Sequence, residues 1–316
     1  SVNEAKFDHY DDNTTAEANY RFLEDWFALF PDFQPNDFWI TGESYGGHYI
    51  PTLVHRILQK QDDPNTNVNL NLKGFAVGNP ATDLDYDNGP LYSLYFPTHG
   101  LYCLDPQFDG PGFGNMDPYD ILADVCYEST LVNQVRFPSK GADRIRKKLE
   151  HYEELRRPVP MPRDVPSMPA CIGDYMTDYL NQASVQKAIH AIPKTWEGCG
   201  GVSYAYGYES IIPFYQYILD NSELQMLVYS GDEDTVVPFM GTEQWVLDLK
   251  QPNQTMWGPW YSEWSGDGNQ VAGYWIDMTR IWYATVKGAG HMVPWFQPGA
   301  AFDMFQRFLE QISLDG

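Results

Sequence analysis

The chain has 316 residues, 43% of them hydrophobic and 16% aromatic, and its formal net charge is −23. That length and apolar content support a large core, in one domain or in a domain carrying an insertion. The acidic balance argues against nucleic acid as a partner. No run of about 18 apolar residues is present to span a membrane, and the opening residues, Ser1-Val2-Asn3-Glu4, do not read as a signal peptide.

Taken in chain order, residues 15–30 carry a helical pattern in which Ala18, Phe22, Trp26 and Leu29 recur at roughly helical spacing. Pro31 and Pro35 break it before an apolar strand at 38–41. A helix is expected over 47–58 and a second buried strand over 72–77, ending in Gly78-Asn79-Pro80. From about 85 to 205 the composition turns to Pro, Gly, Tyr and charge, with a basic helix-like stretch at 144–157 and an aperiodic Pro-rich run at 158–169. This middle third reads as an insertion. The expected organisation is a first part of the core over 1–85, a cap or insertion over 86–205, and a second part of the core over 206–316. The core resumes with a helix near 211–219, strands at 226–229 and 282–286, and a last amphipathic helix using Ala300, Met304, Phe305 and Phe308. Buried strands alternating with helices indicate an α/β class with a mostly parallel sheet.

Four cysteines, Cys103, Cys126, Cys171 and Cys199, form no C-x-x-C pair, so neither a zinc nor a redox site is expected, and no cofactor is implied. Two N-x-S/T triplets, at Asn13 and Asn253, permit a secretory reading.

The chemistry concentrates at Gly42-Glu43-Ser44-Tyr45-Gly46, which lies between the strand at 38–41 and the helix that follows. A serine with glycines at i−2 and i+2, in a strand–turn–helix setting, reads as a nucleophile elbow. The turn is sharp, and side chains at the glycine positions are expected to collide with neighbouring strand and helix. The serine hydroxyl would stand clear of the sheet at the positive end of the helix. Such a serine needs a base, and the base an orienting acid, in the order Ser, Asp or Glu, His. Candidates should follow strand C-termini. Ser230-Gly231-Asp232-Glu233-Asp234-Thr235-Val236-Val237-Pro238 and Lys287-Gly288-Ala289-Gly290-His291-Met292-Val293-Pro294 both do. Asp234 is the candidate acid and His291 the candidate base; Asp232, nearer the strand, is assigned to the turn. His48 and His55 fall in the helix behind Ser44, His190 follows a helix-like segment, and His9, His99 and His151 follow no buried strand.

With these segments the chain resembles the serine carboxypeptidase family of the lysosomal and vacuolar type. The resemblance rests on 42–51 (GESYGGHYIP), 231–238 (GDEDTVVP) and 288–294 (GAGHMVP), supported by Thr15-Ala16-Glu17-Ala18-Asn19-Tyr20, Gly78-Asn79-Pro80, His99-Gly100-Leu101, Tyr179-Leu180-Asn181 and Val185-Gln186-Lys187-Ala188. It implies an α/β-hydrolase fold with an inserted cap. It implies Ser44 as nucleophile, His291 as general base and then acid, Asp234 as its orienter, and the Tyr45 backbone N–H as one oxyanion donor. Glu43 would hold the free carboxylate of a peptide or protein C-terminus. Met292, next to His291, reads either as a contact for the departing residue or as a core methionine. Two carboxylates close together must share a proton, so hydrolysis is expected to be favoured at roughly pH 4–6. A secretory, lysosomal, vacuolar or extracellular location follows from the same resemblance. An acyltransferase on the same scaffold and a non-catalytic binding protein are the competing readings.

The chain departs from the family in lacking the upstream Trp-Asn-Gly-Gly-Pro-Gly segment, which supplies a second oxyanion donor. Gly110-Pro111-Gly112 lies downstream and does not replace it. Only one strand precedes Ser44, so the sheet is expected to lack its first strands, and the 316 residues alone are expected to be poorly stable and nearly inactive. The resemblance also implies a Cys126–Cys171 disulfide, a Cys199 whose partner would sit in the missing segment, and a Cys103 without a clear partner.

Overall fold

The computed structural model describes residues 10–61, 70–88, 95, 98–99, 117–123, 172–198, 203–265 and 268–315. All four cysteines lie outside the described residues, as do His9, His151, Gly110-Pro111-Gly112, the basic stretch at 144–157 and the Pro-rich run at 158–169. The chain divides into two compact units, one formed by 1–122 with 202–316 and the other by 123–201. The unit boundaries fall inside the stretch that composition sets apart.

In the larger unit the order is β1 (Tyr10–Asp11), α1 (Asp12–Leu29), β2 (Phe38–Glu43), α2 (Gly46–Gln61), β3 (Leu72–Gly78) and α3 (Leu84–Asp87). The smaller unit holds α4 (Ile172–Leu180) and α5 (Ala183–Ala188). The larger unit resumes with β4 (Tyr204–Ala205), α6 (Ile212–Asn221), β5 (Gln225–Gly231), α7 (Phe239–Asp248), β6 (Gly258–Ser262), β7 (Gln270–Met278), β8 (Ile281–Val286), α8 (Val293–Phe296) and α9 (Pro298–Glu310).

Among the described residues six strands form one sheet in the order β2-β3-β5-β8-β7-β6. The pairs β2–β3, β3–β5 and β5–β8 are parallel, whereas β7–β8 and β6–β7 are antiparallel. The parallel part follows from strands joined through helices; the antiparallel part begins where Thr279 and Arg280, with Thr279 at φ +60°, turn β7 directly into β8. Strand β2, which leads into the elbow, is one edge of this sheet.

Side chains alternate across the strands and feed two cores, as a period of two requires. Phe75, Val77, Met226 and Val228 face one side, packed with Val54 and Ile57 of α2 and with Ile218 of α6. Ala76, Leu227, Ala284 and Val286 face the other, packed with Met304 and Phe308 of α9 and with Trp260 and Trp275 of the antiparallel strands. Both faces are covered, which is why 72–77, 226–229 and 282–286 read as continuous apolar runs.

Two expectations need correction. The apolar residues chosen for α1 do not form its buried face: Phe22 is 63% exposed and Leu29 72%. The helix buries Asp12, Ala16, Tyr20 and Phe27 instead. Two of those four carry polar groups, so a count of apolar residues selects the wrong stripe. The second correction concerns the elbow glycines. A Cβ on Gly42 would come within 2.6 Å of the Ile50 side chain, as expected, but one on Gly46 would meet nothing nearer than 3.9 Å. The backbone constraint falls on Gly47, where a Cβ would sit 2.3 Å from the Ala81 carbonyl oxygen.

The smaller unit is organised by two side-chain amides. Asn181 donates to the Trp196 carbonyl and accepts from the Trp196 N–H, and Gln186 does the same with Lys194. These four bonds fold the 190–196 segment back onto α4 and α5.

Candidate active site

The elbow forms where β2 ends and α2 begins with a single intervening dipeptide, Ser44-Tyr45. So short a connection forces Ser44 to φ +58°, in the left-handed region. For a residue with a Cβ that conformation costs about 1–2 kcal/mol, and strain of this kind persists only where surrounding bonds enforce it. Here they do: the Ser44 N–H donates to the Gly78 carbonyl at 2.9 Å, and the Ser44 carbonyl accepts from the N–H groups of Gly47 and Ala81, each at 2.9 Å. The Tyr45 N–H donates to no group among the described residues. It lies at the N-terminal end of α2, where an unpaired donor and the helix dipole both favour an incoming anion.

Asp234 and His291 come from the loops after β5 and β8, adjacent parallel strands. Both are buried, Asp234 completely, and His291 Nδ1 stands 2.7 Å from Asp234 Oδ2. Every other partner of the carboxylate is a donor: Asn79 Nδ2 at 2.7 Å, and the backbone N–H groups of Val236 at 2.8 Å and Val237 at 3.2 Å. Asp234 is thereby satisfied as a carboxylate, because burial of a bare charge is costly and charge-assisted bonds offset it. A carboxylate only accepts, so His291 Nδ1 carries the proton and Nε2 the lone pair. Nε2 is buried and has no hydrogen-bond partner among the described residues. The arrangement leaves a basic nitrogen waiting for a donor.

Asn79 is a residue whose part here sequence reasoning missed. Its Oδ1 accepts the Gly231 N–H at 3.1 Å, which fixes the orientation of the amide and turns Nδ2 towards Asp234. Its backbone N–H reaches the Tyr229 carbonyl at 2.8 Å and its φ is +41°. The available signal was an asparagine directly after a buried strand, in Gly78-Asn79-Pro80.

The segment 117–122 fastens both loops. Tyr119 accepts the His291 N–H through its carbonyl at 2.7 Å, and its ring meets the imidazole edge-on with centroids 5.3 Å apart. Pro118 accepts the Thr235 N–H at 3.0 Å, and Ile121 donates to the Glu233 carbonyl at 3.1 Å. Asp232 ties the same loops together by accepting the Gly288 N–H at 2.6 Å, in keeping with its assignment to the turn.

Glu43 is the last residue of β2, paired with Gly78. Burial pushes its carboxyl above the usual range; the nearby His291 pulls it down and the Asp234 charge pushes it up. The same couplings bring Glu43 into the electrostatic neighbourhood of the dyad. Met292 is half-buried and caps α8, accepting from Trp295 and Phe296 through its carbonyl.

Of the other histidines, His48 and His55 lie on α2, His99 Nδ1 donates to the Tyr95 carbonyl, and His190 follows α5. None meets a carboxylate in a comparable way except His48, 3.5 Å from Asp12. A surface groove of about 1060 Å³ runs along α1 and α2 past Glu17, Arg21, His55 and Arg56, and none of the residues at the dyad lines it. Among the described residues no group of His, Cys, Asp and Glu is arranged to hold a metal ion, and no helix is long and apolar enough to cross a membrane.

Comparison with known proteins bears on the family and the fold. The family model for serine carboxypeptidases matches residues 1–107 and 99–311. The lysosomal protective protein of Mus musculus is 32% identical over 95% of this chain, which spans 70% of that protein. Serine carboxypeptidase-like 38 of Arabidopsis thaliana is 31% identical over 96% of this chain, which spans 62% of that protein. Among solved structures, a prohormone-processing carboxypeptidase from Saccharomyces cerevisiae superposes with a TM-score of 0.69 and 16% identity, over 96% of this chain and 68% of that one. That likeness bears on the fold, an α/β-hydrolase. The chain belongs to the serine carboxypeptidase family.

Proposed function

We propose that the chain carries the catalytic centre of a serine carboxypeptidase that releases C-terminal residues from peptides and proteins. The observation that carries the reading is the buried Asp234–His291 pair with its unpartnered Nε2, in a chain whose elbow holds Ser44 in a strained turn. Ser44 Oγ attacks the scissile carbonyl while His291 Nε2 takes its proton. The carbonyl oxygen becomes an oxyanion that the Tyr45 N–H receives. Collapse breaks the C–N bond, His291 returns the proton to the departing amine, and an acyl-Ser44 ester remains. Water, deprotonated by His291, then hydrolyses the ester and regenerates Ser44. Asp234 holds the imidazole in the tautomer this needs and stabilises its charged form.

Glu43 supplies the preference for a free C-terminus. Burial, with the Asp234 charge and against the pull of His291, raises this carboxyl, and in its protonated form it can donate to the substrate carboxylate. That favours binding in acid and an acidic compartment of the secretory route, with the exposed Asn13 and Asn253 as glycan acceptors. Met292, beside His291, is the proposed contact for the departing residue, and 86–205 the proposed cap.

The test uses an N-blocked dipeptide with a free C-terminus beside the same dipeptide as its C-terminal amide. The free acid should be cleaved in acid and the amide poorly, and Ser44→Ala and His291→Ala should abolish cleavage. Equal cleavage of acid and amide would remove the role of Glu43, and activity surviving in Ser44→Ala would remove the mechanism.

A further inference from the structure

Asp12, the first residue of α1, is completely buried, and among the described residues no lysine or arginine pairs with it. It does not serve its own helix: the cap is Asp11, whose side chain accepts the Thr14 N–H at 2.7 Å. The Asp12 carboxylate faces the other way and accepts four hydrogen bonds. Oδ1 receives the hydroxyls of Tyr45 at 3.0 Å and Tyr204 at 2.8 Å, and Oδ2 the backbone N–H groups of Gly207 at 2.9 Å and Tyr208 at 3.2 Å. His48 Nδ1 stands 3.5 Å from Oδ2. Tyr45 lies flat against His48, with ring centroids 4.5 Å apart and an interplanar angle of 11°.

The carboxylate therefore grips the elbow from behind. Tyr45 follows the nucleophile, and its backbone N–H is the proposed oxyanion donor. Its ring is held at the hydroxyl by Asp12 and across one face by His48, with Tyr204 edge-on at 5.7 Å. Fixing a ring at its tip and its face fixes the side-chain rotamer and, through Cα, the peptide plane on which the N–H points. The bonds to Tyr204, Gly207 and Tyr208 anchor Asp12 to a segment nearly two hundred residues away in sequence, so the grip does not rest on α1 alone. Charge-assisted bonds are about twice as strong as neutral ones, which suits a fixed anchor.

We infer that Asp12 is a positioning residue for the nucleophile elbow, acting through Tyr45. The inference rests on the proposed function only in taking the Tyr45 N–H as the oxyanion donor.

The experiment compares the wild-type chain with Asp12→Asn and Tyr45→Phe by two measurements. Hydrogen exchange followed by mass spectrometry compares a peptide covering 42–49 with one covering 270–286, in the far part of the sheet. Covalent labelling with a fluorophosphonate ester reports the reactivity of Ser44. In Asp12→Asn, which removes the charge behind all four of these hydrogen bonds, exchange in 42–49 should rise and Ser44 labelling fall, each by more than about tenfold, with 270–286 unchanged. Tyr45→Phe keeps the ring and loses one bond, so it should move both readouts the same way by less, and it carries the test if Asp12→Asn does not fold. Unchanged exchange in 42–49, or exchange rising equally in 270–286, would overturn the inference in favour of general structural support. A wild-type chain that is not labelled at Ser44, with 42–49 still loosened by Asp12→Asn, leaves the positioning role standing and removes the nucleophile reading instead.

Discussion

Asn79 and His291 meet at a single atom: both reach Asp234 Oδ2, each at 2.7 Å. Asn79 is also bound through Oδ1 to the Gly231 N–H on the strand that carries Asp234. The asparagine is therefore a brace from β3 that fixes where the carboxylate presents its oxygen to the imidazole. Asn79→Ala should lower kcat/KM for an N-blocked dipeptide by about tenfold, with most of the change in kcat. Asn79→Asp should do worse, since it places a second carboxylate against a buried one. Steady-state kinetics of the two variants check this, and an Asn79→Ala enzyme with wild-type kcat would show that the brace is dispensable.

Ser44 offers a test in which stability differs between two variants that are equally inactive. At φ +58° the serine is strained. Glycine tolerates that conformation but loses more freedom on folding, so the two effects partly cancel. Ser44→Gly should be more stable than Ser44→Ala by about 0.5–1 kcal/mol, while both are inactive. Chemical denaturation of the two variants measures the difference. Equal stability would mean that the elbow relaxes when the hydroxyl is removed.

Much of the sheet was legible in sequence because β3, β5 and β8 are covered on both faces and read as unbroken apolar runs. Asp234 and His291 stand out as candidates because each follows such a run, and Ser44 because its Gly-flanked turn follows the half-buried edge strand β2. What escaped notice depends on partners distant in sequence. Strands β6 and β7 carry Gly258, Pro259 and Gly273, which look like turn residues. Gly273 is needed because a Cβ there would lie 1.8 Å from the Thr285 carbonyl oxygen, an approach seen only once the strands are paired. Helix α7 was missed for a similar reason: Gly241 packs against the Tyr86 carbonyl, and its buried residues include Gly241 and Thr242. The anchoring by Asp12 joins α1, α2 and the 204–208 segment, and no local pattern announces it. Tyr119, set by composition within the insertion, lies against His291.

Glu43 sets a pH dependence whose sign follows from its surroundings. Burial and the Asp234 charge hold its carboxyl above the usual range, against the opposing pull of His291. The proton is therefore retained to a higher pH than on a free glutamate, and binding of a substrate carboxylate is preserved below the raised value and lost above it. KM for a peptide acid should therefore climb only at pH values above the range in which a free glutamate titrates, about 4.3. Glu43→Gln, a permanent neutral donor, should flatten that climb. The pH profile of KM in the two proteins checks it; a Glu43→Gln profile as steep as the wild type would assign the dependence to another group.

Asp87 makes the same direction of argument about stability. It is 6% exposed. Its Oδ2 accepts the N–H groups of Thr82 at 2.7 Å and Asp83 at 3.2 Å, while Oδ1 has no partner among the described residues. Burial raises its carboxyl from 3.8 to about 7; the two N–H bonds pull it down by less, and the Asp83 charge adds to the rise. The folded chain thus holds this proton more tightly than the unfolded one. The resulting stabilisation is complete below the unfolded value of 3.8 and is lost as pH rises through about 7. Glu233, also raised to about 7 by burial and by Asp232 and Asp120, adds in the same sense. The melting temperature should therefore fall between about pH 4.5 and about pH 7.5, and Asp87→Asn, which cannot ionise, should remove part of that fall without flattening it completely. Calorimetry of both proteins at the two pH values decides the matter: an identical fall in Asp87→Asn would mean that Asp87 titrates as it does in the unfolded chain, and that the acid preference of this fold resides in Glu233 and its neighbours.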